Sequence, residues 1–303
     1  MDRIRKTILV MALAGLLFGG TYFLTGEAVQ IHSSEVSPID SPDMEKRQQG
    51  YYALEFDGID DCVEIPEIAA LRTQGDRPLT VEFWMWVDSY PKPWRKMLSK
   101  WGSGGGQDDE FVFSLRPNGT FGFANTGRTG LDSQIVIPLG QWCHLCCVWD
   151  SVKGRYSLYL NGESTFPSLK GGQPLQLTGE TIRVGTDGHR TQCFRGKLDE
   201  IRIWDKALDE DQVTFYMNKR LTDDEPGLVG YWSFDEGRGQ VVNDRSVKMN
   251  RGRLGYSPFT DKADPKWVVS EVPLEDYPSP YSERGTKGRN QQNGFSSPKT
   301  PHP

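Results

Sequence analysis

The chain has 303 residues and a formal net charge of −6, and its length allows one large or two small domains. The acidic balance, without any block of basic residues, argues against nucleic-acid binding, which usually needs a basic face. Aromatic residues make up 11% of the chain and include 9 Trp, enough to fill a packed core, so general disorder is also excluded.

An N-terminal targeting segment is predicted over residues 1–28. Basic residues precede an apolar run at residues 8–24, and small residues follow at Gly26 and Ala28. This pattern is typical of a secretory signal peptide. The run also approaches the length that crosses a bilayer, so an uncleaved signal anchor stays open. Either alternative predicts that the rest of the chain lies outside the cytoplasm, secreted or membrane-anchored.

Two polar segments flank the region that we expect to fold. Residues 29–50 carry Ser-Pro twice and show no hydrophobic period, which is typical of a linker. Residues 276–303 are rich in Pro, Ser, Gly and Asn and almost free of apolar side chains, which predicts a disordered tail. Folded structure is therefore expected over residues 51–275.

Short strands dominate this region. Two runs flank an acidic turn at residues 57–61, a long apolar run follows at residues 79–87, and Asn118-Gly119 has the composition of a hairpin turn. The connection over residues 93–106 is basic and Gly-rich, and it is predicted to be a loop. Further strands are predicted at residues 54–56, 62–65, 111–115, 120–124, 142–149, 156–160, 181–184 and 197–204.

The clearest helix is predicted at residues 210–219. Asp209 is a suitable N-cap, and Gln212 three residues later completes a capping box. Leu208 and Val213 stand where a hydrophobic staple would form, so we expect this helix to pack on the sheets in a structural role. Many short strands, Gly-rich turns and one short surface helix predict an all-β fold, a two-sheet antiparallel β-sandwich or jelly roll.

In these strands the chain resembles the laminin-G-like jelly roll of the concanavalin A-like lectin/glucanase superfamily. The matching segments occur in the family's order and cover most of residues 51–220. They are ALEFDGIDDCVEIP at residues 53–66, LTVEFWMWV at 79–87, WCHLCCVWDSVKGRYSLYLNGE at 142–163, IRVG at 182–185 and FRGKLDEIRIWDKALDEDQV at 194–213. The resemblance implies a domain that binds ligands rather than catalysing a reaction.

Two other segments carry shorter likenesses. Residues 144–151 are similar to the signature strand of pentraxins, with Val148 where that signature prefers a hydroxyl residue. Residues 228–246 look like the opening of another laminin-G-like unit. The chain that remains is too short for a second sandwich. Residues 221–275 are therefore expected to be a truncated unit or a C-terminal extension that packs back on residues 51–220.

Five cysteines in an exported chain favour disulfides, and an odd number leaves at least one thiol unpaired. Cys62 and Cys193 are the first candidates for a bridge. Cys143, Cys146 and Cys147 lie too close on one strand to pair with each other, and at least two of them are expected to be small apolar core residues. The sequence has no second ligand pair of the kind that a zinc site needs.

Calcium is a candidate cofactor, because related jelly rolls hold it near a sheet edge where turns supply carboxylates and carbonyls. The resemblance implies that the first strand lies near the strand that carries Asp199. Asp57, Asp60 and Asp199 would then share the ion. The alternative is structural: Asp57 and Asp60 bond the backbone of their own turn, and Asp199 caps the edge of the core.

Recognition of a glycan or an extracellular protein is the predicted function, and no enzymatic activity is expected. Sugars stack on exposed aromatic rings beside polar groups. Trp94 and Trp101 flank the predicted loop and are the first candidates, whereas the Trp residues within strands are expected mostly in the core. A glycoside hydrolase on the same fold is an alternative, since residues 55–60 approach a Glu-x-Asp-x-x-Glu strand but end in Asp. A purely structural surface domain is the third alternative.

Overall fold

The computed structural model describes residues 50–71, 77–101, 109–125, 129–165, 169–170, 179–222 and 224–276. These described residues, all from Gly50 onward, form one compact unit. The predicted targeting segment, the linker up to residue 49 and the tail from residue 277 lie outside the described residues. None of the helices in the described part of the chain is long and apolar enough to cross a membrane.

Strands account for almost all of the regular structure in these residues. They are β1 (Tyr52–Asp57), β2 (Val63–Ile65), β3 (Leu79–Trp86), β4 (Arg95–Trp101), β5 (Asp109–Leu115), β6 (Phe121–Asn125), β7 (Thr129–Asp132), β8 (Trp142–Asp150), β9 (Arg155–Leu160), β10 (Glu163–Ser164), β11 (Leu169–Lys170), β12 (Ile182–Val184), β13 (Arg195–Trp204), β14 (Lys219–Arg220), β15 (Leu228–Trp232), β16 (Val241–Val242), β17 (Gly252–Leu254), β18 (Lys266–Val269) and β19 (Glu275–Asp276). A 3₁₀ turn (Ala69–Leu71) and one α-helix, α1 (Glu210–Met217), complete the described elements.

Two antiparallel sheets pack into a sandwich, which confirms the predicted fold class. Sheet one has the order β10-β9-β8-β3-β13-β1-β18, with β11 also paired to β9 and β15 to β13. Sheet two has the order β16-β17-β2-β12-β4-β5-β6-β7. β14 and β19 form a small parallel pair apart from both sheets.

The core lies between the sheets and is rich in aromatic side chains. Phe83 of β3 meets Phe113 of β5 edge-to-face at 5.1 Å between ring centroids, and Phe123 of β6 packs on Phe113 at 5.2 Å. Full burial of one such side chain stabilises the fold by about 1.5–3 kcal/mol. Cys143 and Cys147 are buried in the same core, which confirms their predicted role as small apolar residues.

Helix α1 covers part of the outer face of sheet one, the face turned away from the core. The side chain of Asp209 accepts a hydrogen bond from the Gln212 N–H at 2.8 Å, and the Gln212 side chain accepts one from the Asp209 N–H at 3.1 Å. This is the predicted capping box. Leu208 and Val213 are buried with Trp204 in a second apolar cluster.

The C-terminal end of α1 differs from the prediction. The helix ends at Met217 rather than at residue 219, and the next residues form β14. Side chains from sheet one supply donors for the last carbonyl groups of the helix, which have no partners within it. Trp84 donates to the Met217 carbonyl at 3.0 Å. Arg202 donates to the Tyr216 and Lys219 carbonyls at 2.7 and 2.6 Å.

A buried charge cluster lies beside this helix end. Arg202 pairs with Glu200 at 2.6 Å and lies 3.7 Å from Glu82, and all three are almost fully buried. Glu82 also lies 3.1 Å from His144. Burial pushes the pKa of Glu82 upward, but His144 and Arg202 outweigh burial and hold that pKa below its ordinary value. Arg202 is therefore the cation that the two carboxylates share, with His144 beside Glu82 and Arg220 at 3.3 Å from Glu200.

Four strands of the C-terminal region, β15 to β18, lie in the same two sheets as the strands before them. β15 pairs with β13, β17 with β2 and β18 with β1. As a result β1 has β13 on one side and β18 on the other, and it is not an edge strand. Residues at the end of β1 are thus held by neighbours from both the middle and the end of the chain.

Strand β4 was missed by the sequence analysis, which placed a loop over residues 93–106. Met97 and Leu98 are both buried, next to a register shift between β4 and β5. Two consecutive buried residues interrupt the alternation of apolar and polar side chains that marks a half-buried strand. The Gly-rich part of the predicted loop, residues 102–106, lies outside the described residues.

Cys62 and Cys193 do not form the predicted disulfide, because the structure holds both as free, buried thiols. The Cys193 sulfur lies 3.5 Å from the Thr186 hydroxyl and 3.9 Å from the Arg190 carbonyl, to which it donates. Burial raises the pKa of the Cys62 thiol to about 12, and the neighbouring Tyr256 hydroxyl acts in the opposite direction. Each thiol therefore has a polar neighbour of its own within the sandwich.

Candidate functional site

An acidic turn follows β1 at one rim of the sandwich. β1 ends at Asp57, which is paired with Arg195 of β13. Gly58 then turns the chain with a φ of +80°, a conformation that glycine adopts without steric cost. A Cβ on Gly58 would lie 2.8 Å from the Arg195 Cβ, so the close approach of β13 also requires glycine here.

Three carboxylates converge in this turn. Oxygen atoms of Asp57, Asp60 and Asp61 lie within 4.8 Å of one another. Asp57 accepts a hydrogen bond from the Ile59 N–H at 2.7 Å, and Asp61 accepts one from the Asp57 N–H at 2.7 Å. Asp60 pairs with the exposed Lys262 at 2.6 Å. These contacts use one oxygen of each carboxylate, so part of the predicted structural role of Asp57 is observed.

Asp61 is the buried member of the turn. Burial raises its pKa to about 7, and the neighbouring charges of Asp57 and Asp60 add to the rise. Lys266 and the bond from the Asp57 N–H act in the opposite direction. Three carboxylates so close together form a concentration of negative charge with hard oxygen donors, the ligand type that Ca²⁺ prefers. The donor set therefore fits a calcium ion.

Asp199, the third predicted ligand, lies elsewhere. It follows Arg195 by four positions on β13, which places it about 13 Å along the strand from the residue that pairs with Asp57. Its carboxylate accepts hydrogen bonds from Ser270 at 2.5 Å and from the Glu200 N–H at 2.8 Å. Burial, together with the charge of Glu200, raises its pKa well above the ordinary value. The structure thus joins Asp61, rather than Asp199, to Asp57 and Asp60.

Two clefts open on either side of the Asp57–Arg195 pair. The first, of about 360 Å³, is lined by Glu55, Phe56, Asp57, Asp61, Asp88, Ser89, Arg195, Gly196 and Lys266. The second, of about 400 Å³, is lined by Asp57, Gly58, Ile59, Ser89, Tyr90, Pro91, Lys92, Arg95, Leu115, Phe194 and Arg195. Both clefts combine charged groups with apolar surface, as saccharide sites do.

Trp94 lies next to the second cleft in the chain and is 44% exposed. The guanidinium carbon of Arg116 lies 5.3 Å from the centre of its ring, and Arg116 is also ion-paired with Asp132. An exposed indole beside a charged pair offers a stacking surface with hydrogen-bonding groups at its edge. Trp101, the other predicted aromatic, is the last residue of β4, and its side chain lies outside the described residues.

The sequence analysis missed two members of this site. Asp61 belongs to the acidic turn that it identified, but its burial is a property of the folded chain, in which the next residue, Cys62, donates its N–H to the carbonyl of the distant Ala263 at 3.0 Å. Arg195 lies within the segment that carries the family resemblance. Its position at the rim follows only from the register of β1 and β13.

Comparison with known proteins places the chain in a wider context. The family model of the concanavalin A-like lectin/glucanases superfamily matches residues 57–214. The pentraxin-related protein PTX3 of Bos taurus is 33% identical over 93 residues, which are 27% of this chain and 24% of that protein. C-reactive protein 3.3 of Limulus polyphemus is 26% identical over 135 residues, 41% of this chain and 55% of that protein. The matches thus span between about a quarter and about half of these relatives.

Among solved structures, the chain is similar to a candidate carbohydrate-binding protein from Bacteroides ovatus. The TM-score is 0.58 with 17% sequence identity, and the likeness covers 75% of this chain and 62% of that one. At this identity the likeness concerns the fold alone. It agrees with the resemblance to laminin-G-like jelly rolls that the strand segments indicate.

Proposed function

Because this chain belongs to the concanavalin A-like lectin/glucanases superfamily, we propose that it is a non-catalytic recognition domain that binds a glycan at the rim described above. The observation that carries the proposal is the convergence of Asp57, Asp60 and Asp61 in a turn whose Asp57 lines two clefts, with the exposed Trp94 next in the chain to Arg95 of the second one. Aromatic surface supplies affinity for a sugar ring, and charged groups fix its hydroxyls.

Calcium would be held in this proposal by Asp57, Asp60 and Asp61. Their oxygens are close enough to bind one ion together, and a divalent cation would offset the repulsion among the three charges. The ion would fix the turn between the two clefts and present a positive centre to sugar hydroxyls. Arg195, which lines both clefts, would supply a second fixed positive charge.

The predicted location outside the cytoplasm forms part of the same proposal. It is supported by the N-terminal sequence pattern of basic residues followed by an apolar run. A domain in that location would meet glycans and extracellular proteins. An extracellular protein is therefore the second candidate partner at the same rim.

A glycoside hydrolase is the alternative from another functional class. Glu55 and Asp57 lie two residues apart on β1, and both line the first cleft. Hydrolases need a pair of carboxylates at a defined separation across the scissile bond. Here β1 ends at Asp57 and Gly58 bends the chain, so Asp60 belongs to the turn and not to the strand. This geometry favours binding over hydrolysis.

A glycan array, probed in Ca²⁺ and again in chelator, tests the proposal. We expect binding to a restricted set of glycans, lost on chelation, with no release of reducing sugar from those glycans. Binding that persists in chelator would exclude calcium assistance but retain glycan recognition. Release of reducing sugar would support the hydrolase. If the protein neither binds nor hydrolyses any glycan, glycan recognition is contradicted. That holds whether a protein partner is captured at the same rim or no partner is found.

A further inference from the structure

A continuous row of side chains crosses the outer face of sheet one. The strand register places Lys266 of β18 opposite Glu55 of β1, Glu55 opposite Lys197 of β13, Lys197 opposite Trp86 of β3, and Trp86 opposite Trp142 of β8. All five residues are exposed or partly exposed. Because paired residues in neighbouring strands share a face, the row presents two ammonium groups, one carboxylate and two indoles on one surface.

The two indoles form a fixed aromatic pair. The ring centroids of Trp86 and Trp142 are 6.1 Å apart, with an interplanar angle of 67°. The Trp86 Nε1–H donates to the Asp88 carboxylate at 2.9 Å, which holds the orientation of that ring. The ammonium of Lys197 lies 5.3 Å from the centre of the Trp86 ring. The Trp86 indole is therefore held in place on one face by a cation, and an ordered aromatic pair loses little entropy when a ligand stacks on it.

This part of the sheet is not covered by helix α1. One row further along the same face, Trp84 is opposite Asp199 and His144, and all three are buried. Trp84 donates to the carbonyl of Met217 at the helix end, so its burial is accounted for by the helix. In the described part of the chain no helix lies over Trp86 and Trp142, and both side chains stay partly exposed to solvent. Their exposed indole surface is therefore available to a ligand.

The charges of the row favour an acidic ligand. Neither Lys197 nor Lys266 forms an ion pair with any carboxylate of the described residues. The row also continues into the first cleft, since Glu55, Asp88 and Lys266 line that cleft. A saccharide chain that leaves the cleft over β1 would therefore reach the ammonium of Lys197 and then the indoles.

We propose that Trp86, Trp142 and Lys197 form a second saccharide subsite on the outer face of sheet one, for a sugar residue that carries a carboxylate. This inference rests on the proposed recognition of glycans at the rim. The sugar ring stacks on the exposed face of Trp142. Its carboxylate pairs with the ammonium of Lys197, and its neighbour along the chain occupies the first cleft.

Binding of an acidic trisaccharide, with one terminal galacturonate and two neutral galactose units, compared with the neutral galactotriose, tests this subsite by titration calorimetry. One acidic unit is used because Glu55, Asp57, Asp61 and Asp88 line the first cleft. We expect Trp142→Ala to weaken binding of the acidic trisaccharide about tenfold, since stacking and the associated burial are lost. Lys197→Met should weaken the acidic trisaccharide about fivefold and leave galactotriose unchanged, because only the acidic sugar uses the charge. Lys206→Met is the matched control. Its ammonium lies 4.7 Å from the Trp204 ring centre, on the half of the sheet that α1 covers.

Failure of the subsite and failure of the proposed function give different results. If Trp142→Ala and Lys197→Met bind the acidic trisaccharide like the wild type while Trp94→Ala loses binding, the subsite is wrong and recognition at the rim stands. If the wild type does not bind the acidic trisaccharide more tightly than galactotriose, the subsite is also wrong, whatever the glycan array shows. If the array shows no glycan of any kind, both ideas fail. Melting temperatures of all variants must match the wild type for these comparisons.

Discussion

Asp57 and Arg195 face each other across β1 and β13, and both of them line the two clefts of the rim. The pair marks the point where the acidic turn begins. It also sets the position of the turn relative to sheet one, because a shift of one residue in this register would turn Asp57 to the other face. The candidate site is therefore as rigid as the strand pairing that supports it.

Gly58→Ala should destabilise the domain by about 2–4 kcal/mol. The backbone at φ +80° disfavours any side chain, at a cost of about 1–2 kcal/mol, and the new Cβ would meet the Arg195 Cβ at 2.8 Å. Gly239→Ala is the matched control, because Gly239 has φ +85° with nothing within 4 Å of a Cβ. Urea unfolding should show a smaller loss for Gly239→Ala. Equal losses would mean that the contact with Arg195 is not tight.

Arg202→Met should cost about 3–5 kcal/mol, because it removes the buried cation that Glu82 and Glu200 share and donors from the end of α1. Glu82 would keep only His144, and Glu200 only the longer pair with Arg220. Arg245→Met is the comparison. Arg245 pairs with Asp235 at 3.2 Å, but its side chain is 48% exposed, and such pairs contribute less than about 1 kcal/mol. Chemical denaturation of both variants measures the two losses in free energy of unfolding. Similar losses would contradict the assigned role of the buried cluster.

Asp199 should make stability depend on pH. Burial and Glu200 raise its pKa in the folded state, whereas in the unfolded chain it ionises near pH 4. The folded state therefore holds more protons above pH 4, and its stability falls as the pH rises toward the folded pKa. Asp199→Asn removes this pH-dependent loss of stability, because an amide does not ionise. The amide can still accept the hydrogen bond from the Glu200 N–H and contact Ser270.

The measurement for Asp199 is the difference in urea midpoint between wild type and Asp199→Asn from pH 4 to pH 8. The other titratable groups are the same in both proteins, so their contributions largely cancel in this difference. The difference should shift in favour of Asp199→Asn as the pH rises. A difference that stays constant over this range would show that Asp199 is ionised in the folded state throughout.

Trp94→Ala should weaken binding of any glycan found on the array about tenfold, with little change in stability, because the ring is already 44% exposed. Phe215→Ala is the matched control. Phe215 lies on α1 with 43% of its surface exposed, away from both clefts. Surface plasmon resonance on both variants compares them directly. If both substitutions change glycan affinity equally, Trp94 is not part of the binding site.

The sequence predicts the sandwich well because most strands carry clear patterns. β3 and β8 have long apolar runs, β13 alternates Ile with charged residues towards its end, and the capping box marks the start of α1. β4 escapes prediction because a register shift places two buried residues side by side. A local pattern therefore identifies a strand when enough of its apolar residues keep their spacing, as in β13, which is predicted although it contains a bulge.

The site is harder to predict, because it depends on register and burial rather than on residue type. Asp57 and Asp60 are identified from their turn, yet Asp61 and not Asp199 completes the group. A bulge at Glu200, with φ +53°, shifts the register of β13 just beyond Asp199. Trp84 and Trp86 are two positions apart on β3 and look alike in sequence, but only Trp84 lies beneath the helix end.

Glycan affinity in Ca²⁺ and in chelator, for the wild type and for Asp57→Asn with Asp60→Asn, tests the central claim most directly. The amides can retain the turn bond to the Ile59 N–H while they remove two of the three charges that would hold the ion. We predict tight binding only for the wild type in Ca²⁺, with equal melting temperatures of the two proteins in chelator. If the double variant binds the glycan as tightly as the wild type, both in Ca²⁺ and in chelator, calcium-assisted recognition at this turn is contradicted.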